Sequence, residues 1–249
     1  LAAPDLERCA SWREVRRFTE RFLELEIDAV TLALPTLSSP LNIAINLYGD
    51  RIILAMMVEP EAARRDLRAI TDTIARLHRW YIAAVPFARM QPIAAGARTA
   101  LRGMGQICGC STQLLSPRLY DEFIRPLDEE ILALWPRGGM IHLCGAHAHH
   151  IPALEAMAPL RAVQMNHRAA DDVAEYHRRL RDDQILYVNI YDKMPLERIL
   201  EHTRGGDRTV IVVPPGEMRQ TMEKWESLGP CNSDSPGGTT ITVRSPPRV

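Results

Sequence analysis

The chain has 249 residues, 46% hydrophobic and 24% charged, with 30 basic side chains against 31 acidic ones, a net charge of −1 and a pI near 6.8. That balance lacks the basic footprint of a nucleic-acid binder, and no apolar run approaches the roughly 20 residues needed to cross a bilayer. The five cysteines are Cys9, Cys108, Cys110, Cys144 and Cys231. An odd number, thinly spread and without a secretory signal, predicts reduced thiols in a cytoplasmic setting.

In chain order, residues 11–26 (SWREVRRFTERFLELE) place Val15, Phe18, Phe22 and Leu23 at helical spacing, with Ser11 as the N-cap of a surface helix. Residues 27–34 (IDAVTLAL) have the β-branched, apolar character of a strand buried on both faces in a parallel sheet, and Pro35 ends it. The stretch 36–48 reads as a loop leading into a short helix. Glu59-Pro60 opens a long helix to about residue 83, with Leu67, Ile70, Ile74, Leu77 and Tyr81 on one stripe. Trp80 and Tyr81 at its end are expected to pack rather than to form a ligand platform. Residues 84–97 read as irregular and 99–106 as a strand. Cys108 and Cys110 follow it across Gly109, and two readings stand: metal ligands, or small residues filling a tight strand end.

Ser116 as N-cap and Pro117 at the first helical position open another helix, which Pro126 should kink or split before residues 127–135. Residues 138–145 (GGMIHLCG) read as a buried strand between glycines. His147, His149 and His150 follow, expected as surface residues or as supports of a nearby site. Then come a helix at 151–158, a strand at 160–166, a charged helix at 171–182, a strand at 184–190, a helix at 195–203 stopped by Gly205-Gly206, and a strand at 207–213. Residues 229–249, rich in Pro, Gly, Ser and Thr, predict a flexible tail, leaving 1–228 as the folded domain.

The chemistry concentrates in residues 138–145. Side chains two apart on a strand point to one face, so His142 and Cys144 project together. Imidazole nitrogen and thiolate sulfur are preferred zinc donors, which makes the pair half of a tetrahedral site. The alternative is a hydrogen-bonded core histidine beside a cysteine acting as a small hydrophobe. Gln164, Asn166 and Asn189 lie at or near strand ends as polar residues that need a substrate or one another.

Strands alternating with helices from residue 27 to 213 imply a parallel α/β architecture, and the absence of a glycine-rich phosphate loop favours a TIM (β/α)8-type barrel over a doubly wound sheet. The runs SPLNIAINLYGDRIILAMMVEPEAARRDLRAITDTI, LLSPRLYDEFIRPLDEEI, IHLCG and VIVVPPGE resemble, in order and spacing, the uroporphyrinogen decarboxylase superfamily of TIM barrels. Six strands are counted where a barrel needs eight, so the resemblance implies either a fragment without the N-terminal strands or an incomplete barrel.

What the resemblance implies about function divides in two. The heme-pathway decarboxylases of the superfamily need no cofactor. They hold substrate carboxylates with an arginine-rich N-terminal segment that has no counterpart here, and Arg102 and Arg168 are the basic residues near strand ends. The corrinoid-linked methyltransferases bind zinc through a His-x-Cys pair, matched by His142 and Cys144, and through a later cysteine in a Pro-Gly-Cys turn. This chain has Pro215-Gly216-Glu217 there. A site of His142, Cys144 and Glu217 with an open fourth position is therefore expected, Cys231 being the other third ligand available. The implied reaction is zinc-dependent methyl transfer from a methylated corrinoid-binding protein to a small thiol, with Gln164, Asn166 and Asn189 shaping the thiol pocket. Porphyrinogen decarboxylation and a non-catalytic barrel scaffold are the alternatives, and a homodimer follows by family analogy.

Overall fold

A computed structural model of the chain describes residues 1–25, 27, 30–91, 100–213 and 216–228. Helix α1 (Ala10–Glu24) starts one residue before the expected Ser11 cap, with Cys9 at its N-cap and no side-chain capping bond. It is a surface helix anchored by buried Trp12, whose ring meets Trp80 and Tyr81 edge-on at 5.0 and 6.1 Å. Those two aromatics pack, as their helical position predicts.

The expected first strand is short. Pro35 lacks an N–H, and the extended segment around it makes two two-residue strands, β1 (Leu32–Ala33) and β2 (Leu37–Ser38). Helices α2 (Pro40–Tyr48) and α3 (Arg51–Val58) follow, meeting at 106°. The turn falls at Gly49, whose φ of 66° suits glycine. Ser39 caps α2 by accepting from Asn42 N. Helix α3 has no side-chain cap, so no local signal in the sequence marks its start. Helix α4 (Pro60–Ala84) starts at the expected proline and buries Leu67, Ile70, Ile74 and Tyr81. No single described helix is long and apolar enough to cross a membrane.

The remaining strands are β3 (Met90–Gln91), β4 (Gly105–Cys108), β5 (Gly139–Leu143), β6 (Leu160–Met165), β7 (Ile185–Asn189) and β8 (Thr209–Val212). Between them lie α5 (Pro117–Leu119), α6 (Arg125–Ala133), α7 (Ile151–Ala156), α8 (Val173–Arg179) and α9 (Leu196–His202). Ser116 caps α5 through Leu119 N, and one wide π-type turn, Tyr120–Ile124, joins it to α6 where Pro126 withholds a donor. Helix α10 (Met218–Ser227) closes the described chain and was not expected. The proposed tail at 229–249 lies outside the described residues.

All strand pairs among the described residues are parallel. β1 pairs with β3, and six strands form one sheet in the order β2-β4-β5-β6-β7-β8. The order never reverses, unlike that of a doubly wound sheet. One face of this sheet (Ile107, Ile141, Leu143, Val163, Met165, Leu186, Val188) joins residues of the crossover helices, including Leu132, Leu154, Tyr176 and Ile199, in the main core. The other face carries a smaller cluster of Met104, Met140, Ala162, Tyr187 and Val212, to which no helix among the described residues contributes. The fold is thus α/β with a parallel sheet wound in one direction. Among the described residues no ladder joins β8 to β2, so a closed barrel is not seen.

Gly138 sets where β5 begins. Its φ is 65°, and a Cβ there would overlap the carbonyl oxygen of Pro159. The sheet therefore enters β5 through a position that only glycine fills without strain.

Candidate metal centre

Strand register builds the site. Cys108 pairs with His142, His142 with Gln164, and Gln164 with Tyr187, so four strands present one row of side chains on the same face. Neighbouring strands lie roughly 4.8 Å apart, which brings successive members of such a row into contact. Cys110, Cys144, Asn166 and Asn189 stand two residues further along. All of them therefore gather at the carboxyl edge of the parallel sheet, where ligand sites of α/β proteins form.

Ligand atoms of Cys108, Cys110 and His142 lie within 4.8 Å of one another, a group able to hold a metal ion. The sulfurs of Cys108 and Cys110 are 3.5 Å apart. Two sulfurs each about 2.3 Å from a tetrahedral zinc would be roughly 3.8 Å apart, so the pair approaches the spacing such an ion needs. Cys144 Sγ is 2.9 Å from His142 Nε2 and completes a cluster of three sulfurs and one imidazole. All four residues are partly exposed, so an ion can reach them. Asn42 on α2 fixes the Cys108 side, its Nδ2 donating to Cys108 Sγ at 3.6 Å while its Oδ1 accepts from Ser111 N at 2.9 Å.

The thiols polarise one another. Contact with the Cys110 thiol, followed by the His142 imidazole, pulls the Cys144 thiol down to about 4, and the same Cys110 thiol pulls Cys108 down to about 6. Cys110, between two sulfurs that carry charge more readily, is pushed up. Burial works against protonation of His142, but the hydrogen bonds to Cys144 and Gln164 outweigh it and its pKa is raised. A soft, anionic sulfur set around one imidazole suits zinc or another thiophilic ion.

The polar strand residues orient that imidazole. Gln164 donates from Nε2 to Asn166 Oδ1 and to Asn189 Oδ1, both at 2.7 Å. Both amide protons are thereby used, so its Oε1 faces His142 and accepts from Nδ1–H. Nδ1 is thereby fixed as a donor, and Nε2, 2.9 Å from Cys144 Sγ, is the nitrogen left for a metal ion to take in place of its hydrogen bond to that sulfur. A ligating histidine with its other nitrogen held this way is the usual arrangement of a metal site. Gln164, Asn166 and Asn189 thus pair with one another, the structural role left open for them by the sequence.

The loop histidines are not simply surface residues. His147 and His150 are each 1% exposed. His147 Nδ1 bonds Gly145 O at 2.7 Å within the segment that carries Cys144, and His150 Nε2 bonds Thr112 O at 2.9 Å, tying that segment to the one that carries Cys110. Exposed His149 reaches Leu115 O at 3.1 Å.

Glu217 is exposed at the N-cap of α10, and the metal-competent group found among the described residues does not include it. Cys108 and Cys110 stand in that group instead. Cys231 lies outside the described residues, and Arg102 and Arg168 are both exposed. The signal for Cys108 and Cys110 was in the sequence: a C-x-C and an H-x-C each end a strand, and adjacent parallel strands bring such ends together. No family model and no curated protein matches the chain.

Proposed function

We propose that the chain is a zinc-dependent enzyme that transfers a methyl group from a methylated corrinoid-binding protein to a small thiol, on a barrel of the uroporphyrinogen decarboxylase type. The observation that carries the reading is the gathering of Cys108, Cys110 and His142 ligand atoms within 4.8 Å at the carboxyl edge of a sheet wound in one direction. Zinc held there lowers the pKa of a thiol substrate and favours its nucleophilic thiolate. Cys108, Cys110 and His142 hold the ion, and Gln164 keeps the proton of His142 on Nδ1 so that Nε2 is the ligating atom. Asn166 and Asn189 prevent the Gln164 amide from turning over. Cys144 stands beside His142 as a further sulfur donor. The ligand set differs from the His142, Cys144 and Glu217 expected by resemblance, and it is richer in sulfur.

Metal analysis of the purified full chain by elemental mass spectrometry tests this, wild type beside Cys108→Ser, Cys110→Ser, His142→Ala and Glu217→Ala. The expected result is one zinc per chain, lost in the first three variants and retained in Glu217→Ala. Cobalt substitution should give thiolate charge-transfer absorption that weakens with each cysteine removed. A well-folded wild type that takes up no zinc would sink the proposal.

A further inference from the structure

We propose that Cys108 and Cys110 are also a reversible dithiol–disulfide site, oxidised by a hydroperoxide, and that closing the disulfide withdraws two sulfur donors from the centre. The sulfurs are already 3.5 Å apart, with one residue between them. Gly109 between them packs closely on β5: a Cβ at that position would come within 2.8 Å of Ile141 Cδ1, so a side chain there would displace the end of Ile141. The Cys110 thiol also contacts the Cys144 thiol, the competing partner for a bond, and makes a 3.9 Å approach to the His142 carbonyl that is weak enough to release it. Both cysteines are partly exposed, as an oxidant requires. The Cα atoms of residues two apart in a bent segment fall within the roughly 4.4–6.8 Å that a disulfide spans. A ring closed over one residue is strained, and strained, accessible disulfides are the ones readily reduced again.

The chemistry balances with hydrogen peroxide as the oxidant. One thiol of the pair takes an oxygen from the peroxide to become a sulfenic acid, and one water leaves. The second thiol then attacks that sulfur, the S–S bond forms as the S–O bond breaks, and a second water leaves. Two sulfurs are oxidised by one electron each, and the peroxide is reduced by two. The consequence for metal rests on the reading of the site as a zinc centre, whereas the disulfide itself does not.

The test uses the full chain carrying Cys9→Ser and Cys231→Ser, so that the three thiols of the cluster are the only ones present. After reduction and chelation the protein is treated with hydrogen peroxide and mapped by peptide mass spectrometry. The expected product has lost two hydrogens, carries a Cys108–Cys110 link, and is restored by dithiothreitol. A parallel sample loaded with zinc should release it to a chromogenic chelator in step with the link. Cys110→Ser should form no link and carry Cys108 on to the sulfinic acid. A link between Cys110 and Cys144, or sulfinic acids on unlinked cysteines in the parent protein, would overturn the proposal. A chain that forms the Cys108–Cys110 link yet binds no zinc would uphold the redox pair and refute the metal reading.

Discussion

Asp128 offers the sharpest quantitative test of the fold that carries the site. It lies fully buried on α6, and burial raises its carboxyl to about 8 against 3.8 for a free aspartate, although the Tyr120 hydroxyl, donating to Oδ2 at 3.3 Å, opposes the shift. Its Oδ1 has no hydrogen-bond partner. Between pH 4 and 8 the folded chain therefore keeps a proton that the unfolded chain has lost. Stability from this group is complete below the unfolded pKa and falls as pH rises, by up to about 1.4 kcal/mol per pH unit. Asp128→Asn keeps an acceptor for Tyr120 and cannot ionise, so the slope should vanish in the variant. The variant's stability relative to wild type should then rise by ~2.7 kcal/mol between pH 5 and pH 7. For a chain of this size that is about 5–11 °C in melting temperature. Other buried groups titrate in this range, but they are common to both proteins and cancel in the difference. Thermal melts of the pair across that range provide the assay. A constant difference would mean that Asp128 ionises in the folded protein and that its surroundings are wetter than the packing around Tyr120 and Ile131 implies.

Gln164→Leu should leave the fold intact but weaken zinc binding by about 10–100-fold, because His142 loses the acceptor that holds its Nδ1 proton; competition titration against a chelator of known affinity checks this, and an unchanged affinity would remove the orienting role. His78 gives the acid-side counterpart. Burial holds it down to about 4, and Trp135 Nε1 donates to its Nδ1 at 3.1 Å. Its contribution is present above about pH 6.5 and lost as pH falls toward 4, so His78→Phe should flatten the acid limb of the stability curve, read by urea unfolding at fixed temperature. Gly138→Ala should lower stability by about 2–4 kcal/mol, seen as a lower urea midpoint at unchanged slope, since it sets a side chain at positive φ against Pro159. Leu132→Ala, at a fully buried position of α6 in the core between that helix and the sheet, should cost about 2–5 kcal/mol by the same measurement.

The sequence was most legible where the signal is local. Pro60 gave the start of α4 and Ser116-Pro117 that of α5, because caps and proline act on the first turn alone. The alternation of strands and helices from β4 to β8 could be read because each segment is long enough to show its period. Strands β1 and β2, two residues each, are too short for that, and α3 has no capping side chain to mark it. His147 and His150 could be read only as surface residues or as supports of a nearby site, because a loop position says nothing about what covers it.

The site divides in the same way. That His142 and Cys144 share a face is a property of one extended strand and could be known from residues 142–144 alone. That Cys108 and Cys110 meet them depends on the pairing of Cys108 with His142 across two strands separated by α5 and α6. Ladder register is decided by the packing of whole faces, Ile107 and Ile141 into the helix-covered core on one side and Met104 and Met140 on the other. The orientation of Gln164 likewise depends on Asn189, a strand away. Residue types and their local spacing thus determined which groups could carry the chemistry, while only the assembled sheet decided which of them meet, because distances between strands are set by tertiary packing and not by position along the chain.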